Sequence, residues 1–425
     1  MSRFFTAAVW LALLSQCGDG AGTAFPLRGG GGGGLGQTGG SGGVGGSVVA
    51  TDPNMLAVVV DQGPPGLIDP YINGLFASVK ICVPGTTTCQ IVDHLLVDTG
   101  SYGVSVLESV VSHLALPAVT NASGQGLAEC VPFILGTAWG PVALADVTLG
   151  NELARNLSIQ LIGEKTYAIP ADCTGTPNTD VQTLGSNGVL GVGPLLQNCG
   201  APCASTSRSN PGLYYACSSA QSCAIAAVPV TQQVSNPVAA FPVDNNGVII
   251  QLPAIGASGS PLVQGVLTFG IGTQTNNGLG SATVLALDWM GTISTTFPVG
   301  GTTYTSIIDS GSNAFFFLDT ATTNLKMCAG KGPSTWYCPA SITNLGATLS
   351  SVNGASTTIV FSVANASRVS ASAAAFDMAG PMPNFPLDTS VPSFDWGLPF
   401  FYGRTVYTAI ENKDTPAGFG PYFAF

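Results

Sequence analysis

From Met55 onward the chain alternates short apolar runs with turn residues. MLAVVVD, YINGLFASVKICV, QIVDHLLVD, GVIIQLP, GVLTFGIG, FFFLD and TTIVFSV have strand length, are rich in β-branched and aromatic residues, and are bounded by Gly, Pro, Asn or Asp, which predicts β-strands. VPGTTT, between Cys82 and Cys89, predicts a hairpin turn. Helical periodicity is scarce. Its best instance is SVLESVVSHLAL, 105–116, where Val106, Val110, Val111 and Leu114 share one helical face. The expected fold class is therefore all-β for the most part.

The flanking text differs. Residues 1–16 join one basic residue, Arg3, to an apolar run too short to span a bilayer permanently, which predicts a signal peptide. Leu14-Ser15-Gln16-Cys17 resembles a bacterial lipobox, in which Cys17 would be acylated and become the mature N-terminus; Gln16 departs from the small residue usual there, and an ordinary cleaved signal peptide is the alternative. Residues 17–50 end in GGGGGGLGQTGGSGGVGGSVVA, which cannot bury enough apolar surface to fold and predicts a flexible tether. The expected localisation is a bacterial envelope, with contact to a membrane through the lipid and no transmembrane helix; otherwise the protein is secreted. The stretch 170–237, rich in Pro, Gly, Ser, Asn and Cys, predicts irregular surface loops, and a boundary near Asp244 divides the body into 51–243 and 244–425.

One short pattern occurs in both halves. LLVDTGSYGVSV ends an apolar run in Asp98, and SIIDSGSNAFFFL does the same with Asp309, 211 residues later. A carboxylate in apolar surroundings must be hydrogen-bonded or neutralised. Thr99, Ser101, Ser310 and Ser312 supply hydroxyl donors, while Gly100 and Gly311 permit close backbone approach in a sharp turn. Two such holders brought together would set carboxylate against carboxylate, so that the pair shares one proton. One Asp then serves as general base toward a water while its protonated partner polarises the attacked carbonyl. The bland alternative makes both residues turn carboxylates with neighbouring hydroxyls.

Charge narrows the alternatives. A formal net charge of −11 with only 11 Lys and Arg leaves no basic cluster for phosphates, so nucleic acid is excluded as a partner, and Phe315–Phe317 and Phe400–Tyr402 are expected in core or cleft wall. Of 11 cysteines, Cys17 lies in the leader. Close neighbours suggest local disulfides Cys82–Cys89, Cys199–Cys203, Cys217–Cys223 and Cys328–Cys338, leaving Cys130 to pair with Cys173 by elimination. Zinc is the competing reading, weakened by the presence of only His94 and His113 and by the lack of paired CxxC motifs; no metal or other cofactor is expected. A Ser/His/Asp triad would have to use one of those histidines without a nucleophile elbow.

The paired motifs, SNGVLGVGP at 186–194, GVLTFGIG at 265–272 and FDWGLPFFYGRTVYTAIENKDTPAGFGPYF at 394–423 resemble landmarks of the pepsin-like aspartic peptidases. They resemble still more closely a bacterial cell-envelope family of unknown function with the same DTGS and DSGS pair. The resemblance implies a bilobed fold of two related β-barrel lobes, a central cleft holding Asp98 and Asp309, and a metal-free endopeptidase, a monomer, acting on peptide or protein substrates. It also implies a flap over the dyad. PFILGTAWGPVAL at 132–144 places Leu135 where that family has a tyrosine, with Gly136 beside it and Trp139 able to take over the lid. Pro399 is expected where the second supporting motif would have its glycine. These departures support the alternative of an inactive pepsin-fold module that binds peptide or protein.

Overall fold

The computed structural model describes residues 49–425 apart from 134–135, 208–209, 299–300, 302, 318–322, 330–335 and 383–392. The leader, Cys17, the tether up to residue 48 and Leu135 lie outside the described residues. The protein is mostly β, with 45% strand and 7% helix, and its sheets are barrel-like. One sheet of sixteen strands contains Met55–Asp61, Cys89–Asp98, Val263–Phe269 and Thr405–Ala409, and a seven-stranded sheet contains Thr303–Ile308 and Ser393–Trp396. Met55–Asp61 pairs antiparallel with Val263–Phe269, so strands from early and late sequence are joined through one ladder.

The strand signals hold because each run meets a partner that buries it. Leu95, Val97, Val104 and Leu190 are fully buried in a largely aliphatic core, and Val60, Leu75 and Val79 from the neighbouring strands join them. Burying a side chain of this size contributes about 1.5–3 kcal/mol. The second half is more aromatic: Phe394 stacks on Trp396 at 4.4 Å and on Phe317 at 4.9 Å, and Phe361 meets Trp396 edge-on at 5.1 Å.

The expected helix at 105–116 is corrected. Tyr102–Leu107 is a strand, clamped between Gly188–Val192 and Glu152–Ile162, and the helix is only Glu108–Val111. Val104 and Val106 are β-branched and point into the core from that strand, so two ladders of backbone hydrogen bonds override the local helical period. The segment 170–237 is likewise more ordered than its composition suggests, since it contributes the fully buried strand Gly188–Val192. All ten body cysteines are disulfide-bonded in the expected pairs, so none offers a thiolate to zinc.

The halves share a local plan. Cys89–Asp98 pairs parallel with Gly188–Val192, which pairs antiparallel with Tyr102–Leu107. Thr303–Ile308 pairs parallel with Ser393–Trp396, which pairs antiparallel with Phe315–Phe317. The registers superpose residue by residue: Val97 faces Leu190 as Ile308 faces Trp396, and Val104 faces Leu190 as Phe315 faces Trp396.

Candidate active site: two interlocked aspartate turns

Each aspartate closes its own turn. Asp98 accepts hydrogen bonds from Gly100 N at 2.7 Å and Ser101 Oγ at 2.5 Å; Asp309 accepts them from Gly311 N at 2.7 Å and Ser312 Oγ at 2.8 Å. Both carboxyls are 0% exposed, so these donors replace hydration that burial removes.

The second residue of each motif then locks the turns together. Thr99 Oγ1 accepts from Ser310 N at 2.9 Å and donates to the Ile308 carbonyl at 2.9 Å. Reciprocally, Ser310 Oγ accepts from Thr99 N at 3.1 Å and donates to the Val97 carbonyl at 2.7 Å. Four buried bonds cross between segments more than 200 residues apart, and each of the two hydroxyls both donates and accepts. They fix the approach of the carboxyls. A methyl carbon placed on Gly100 would lie 2.6 Å from Asp309 Cγ, and one on Gly311 would lie 2.5 Å from Asp98 Cγ. Each carboxyl therefore sits against the other turn's glycine, a distance only glycine permits.

Behind the turns stand Gly191 and Gly397. Added carbon would fall 2.5 Å from Tyr102 N at the first and 2.0 Å from the Ala314 carbonyl oxygen at the second. The parallel registers make these two glycines equivalent, so the expectation that Pro399 replaces the second glycine is corrected: Gly397 holds that place. Pro399 instead lies in the first turn of the 3-10 helix Leu398–Phe401, where its fixed φ is compatible with the helix.

Burial pushes Asp98 well above the usual carboxylate range, and the facing Asp309 pushes it further. Asp309 is raised by burial but held down by hydrogen bonds from Asp98, Ser312 and the Gly311 and Ser312 amides. Both carboxyls are thus raised by burial, Asp98 further by the facing carboxyl, while Asp309 is held back by more donors, an environment in which the pair favours sharing one proton. Tyr71 and Tyr102 are raised by burial and then by both aspartates, which brings two phenols into the field of the dyad. The Tyr71 hydroxyl is buried with no hydrogen-bond partner among the described residues.

The proposed flap residues are placed differently. The hairpin exists, built from Gly126–Phe133 and Gly136–Leu149, but Leu135 lies outside the described residues. Gly136 packs beneath the Thr176 carbonyl and the Asn178 side chain. Trp139 is 3% exposed, donates its indole N–H to the Tyr167 carbonyl at 3.0 Å and meets Tyr215 edge-on at 5.2 Å, among Cys130, Cys173 and Cys217. With its ring and N–H both engaged in that cluster, Trp139 is a packing residue, which corrects the lid expected of it.

A family model for proteins of unknown function (DUF3443) matches residues 50–425. The chain belongs to this family. The match takes in both aspartate turns and both supporting glycines, so the whole interlocked unit lies within the DUF3443 region. No curated protein matches the chain.

Three residues of this DUF3443 site escaped the sequence reading. Asp395 is fully buried and its Oδ2 lies 2.6 Å from Ser312 Oγ. It carried a usable signal, an acid inside the apolar run SFDWGLPFF, the same anomaly that exposed Asp98 and Asp309. Tyr71 and Asn313 gave none. Tyr71 reaches the site from the connection between Met55–Asp61 and Gly74–Cys82, and Asn313 is buried with both amide atoms unpartnered among the described residues.

Proposed function

We propose that this protein is an aspartic-type endopeptidase of bilobed, pepsin-like architecture, its lobes meeting near Asp244 and its metal-free cleft centred on Asp98 and Asp309. The observation that carries the reading is the reciprocal Thr99–Ser310 lock, which holds two buried carboxyls against each other at the cost of their hydration. A structural turn has no use for a second carboxylate in contact with the first, whereas general acid–base hydrolysis needs two that differ in protonation.

In the mechanism, Asp309 takes a proton from a water that attacks the peptide carbonyl carbon, while Asp98 gives its proton to the developing oxyanion. Collapse of the tetrahedral intermediate returns protons through the same pair as the amine leaves. The Tyr71 hydroxyl is a candidate donor to substrate, being buried in the field of both carboxyls with its hydrogen-bonding capacity unspent. Cys17 would tether the enzyme to a bacterial envelope membrane, a reading tested by loss of fatty-acid labelling in Cys17→Ala.

A second reading has its own support. Asp98 and Asp309 have no solvent exposure, and the connection carrying Tyr71 is tied down on two sides, by Gln62 to the Ala371 and Ala373 carbonyls and by Gln182 to Ile68 N and the Gly66 carbonyl. Such a closed dyad suits a binding module without turnover.

Cleavage of an unfolded protein across acidic to neutral pH separates the two. The endopeptidase reading expects cleavage by the oxidised body from Thr51, reduced about a thousandfold or more in Asp98→Asn and in Asp309→Asn. It also expects a rate that falls on the alkaline side as the shared proton is lost. Undiminished cleavage by either variant sinks the dyad, and an inert wild type transfers the case to the binding module.

A further inference from the structure

The Ser312 hydroxyl touches two carboxyls, Asp309 Oδ2 at 2.8 Å and Asp395 Oδ2 at 2.6 Å. A hydroxyl has one proton and therefore donates to only one of them. The other contact, at hydrogen-bond distance, needs a proton from the carboxyl side, because an ionised carboxylate can only accept. One of Asp309 and Asp395 is thus a carboxylic acid. The surroundings decide which. Asp309 also receives the Gly311 amide and the Asp98 side chain, donors that favour an anion. Asp395 has Ser312 alone; its Oδ1 is buried without a partner among the described residues, and Phe394, Trp396 and Phe316 pack on the strands around it.

The geometry assigns Asp395 to the dyad as a positioning residue: as a neutral acid it donates to Ser312 Oγ, which commits the Ser312 hydroxyl proton to Asp309 and leaves Asp98 to hold the proton of the pair. The assignment rests on the endopeptidase reading only for its catalytic consequence. The first turn has no equivalent, since the register places Val189 where the second half has Asp395, and Ser101 touches Asp98 alone. The two aspartates are thereby made unequal by a side chain that touches neither of them.

Among the described residues, other charges do not compete for Asp395. Burial raises it well above the usual carboxylate range, and Asp309 is the ionisable group that adds to this. Tyr304 is the only titratable residue on the adjoining strands Thr303–Ile308 and Phe315–Phe317. Asp377, which precedes Ala379–Gly380, is engaged by Arg404.

The test is a pH titration of the folded body carrying carbon-13 at the aspartate carboxyls, followed by NMR, which requires no turnover. Asp395→Asn, which keeps a donor toward Ser312, is expected to delete one signal that is still neutral at pH 7 and to leave the acid-side step of the dyad in place. Ser312→Ala, which breaks the relay, is expected to raise that step by about one pH unit, the loss of a hydrogen bond to a charged group. If the signal deleted in Asp395→Asn is ionised at pH 7, or if Ser312→Ala leaves the dyad step unmoved, the assignment is overturned. Peptide cleavage run in parallel keeps the two questions apart: an inert wild type with the expected NMR pattern ends the endopeptidase reading and leaves the positioning role standing, whereas in an active enzyme the acid limb of kcat/KM shifts with the NMR step in Ser312→Ala.

Discussion

The Asp98 turn and the Asp309 turn have one plan and different backings. Both set a buried aspartate at or just past the end of a strand, cap it with glycine amide and serine hydroxyl, and rest on a glycine in or just past a strand distant in sequence. Around Asp98 the packing is aliphatic, with Val97, Val104 and Leu190; at the matching places around Asp309 stand Ile308, Phe315 and Trp396. Among the described residues, each half also holds one further acidic residue with no exposure at all. Glu129 in the first half lies on the hairpin strand Gly126–Phe133 near the Tyr214 phenol, with no geometric hydrogen bond to either carboxyl oxygen among the described residues and Gln160 on its backbone carbonyl, whereas Asp395 in the second half reaches the dyad through Ser312. The halves thus agree where backbone must be held and diverge where proton affinity is set. The shared plan holds the two carboxyls together, and the divergence gives them unequal surroundings, as the proposed acid–base chemistry needs.

The largest test of this contrast uses Glu129. Burial pushes it up to about 8, against an ordinary value of 4.5. A carboxyl raised on folding keeps its proton in the folded state while the unfolded chain releases it, so its contribution to stability is intact below about pH 4.5 and is lost as pH rises to about 8. At 1.36 kcal/mol per unit the loss amounts to roughly 5 kcal/mol across that window. Glu129→Gln is therefore expected to flatten the decline in unfolding free energy between pH 4.5 and 8 without moving the dyad step. A slope that survives unchanged would place the titration elsewhere, in the dyad or Asp395.

Next in size is the shared lock. Thr99→Val orphans the Ser310 amide and the Ile308 carbonyl, and Ser310→Ala orphans the Thr99 amide and the Val97 carbonyl. Two buried unsatisfied groups cost about 2–4 kcal/mol in each variant. Because both variants break one network, the double mutant is expected to cost less than the sum. Denaturant unfolding of the three proteins checks this, and strict additivity would show that the halves do not brace each other.

Much of this arrangement was legible in sequence. Runs of alternating or continuous apolar residues marked the strands because neighbouring strands bury them in period two, and paired acids in apolar text marked the dyad because burial of charge is costly wherever it occurs. The spacing of the cysteines suggested four of the disulfides and left Cys130–Cys173 to elimination, and all five pairs form. What failed depended on partners distant in the chain. The 105–116 segment has a helical period, yet two ladders claim its first residues. Trp139 was given a lid by its place near the hairpin tip, but Tyr167 and Tyr215 engage it elsewhere. The place of Gly397 is set by parallel register with Thr303–Ile308, which no local pattern prints, and so a glycine two residues from Pro399 was passed over.

That register gives the third test. Gly191→Ala and Gly397→Ala each drive a carbon into fixed backbone, at 2.5 and 2.0 Å, and overpacking of this kind costs about 1–3 kcal/mol. Equivalent places predict comparable losses of thermal stability in the two variants. Pro399→Ala is expected to cost less than either. A Gly397→Ala protein as stable as wild type would break the equivalence of the halves.

The smallest expected effect lies where the halves part earliest. In the strand leading to Asp98, Asp93 and His94 together face Ser78, a β-bulge in which His94 takes φ 49°. The strand leading to Asp309 pairs with Ile293–Thr296 without a shift, and Thr305 stands at the matching position. The bulge turns His94 toward Asp61 at 3.2 Å, with Asp93 at 3.3 Å on the other ring edge. The Asp61 hydrogen bond raises His94 above its ordinary 6.5 against the opposing effect of burial. A raised histidine adds stability below about pH 6.5 that is lost as pH rises through its folded value. The His94 and Asp61 side chains are partly exposed, at 16% and 28%, and solvent screens the pair, so the gain is below about 1 kcal/mol. His94→Asn isolates the charge, because asparagine tolerates positive φ. It is expected to remove a small loss of melting temperature between pH 6 and 8 while any peptide cleavage at acidic pH stays unchanged. A large drop in stability at every pH would show instead that the imidazole ring, packed 5.4 Å from Phe76, holds the bulge by contact, and that the Asp98 strand depends on a prop the Asp309 strand does without.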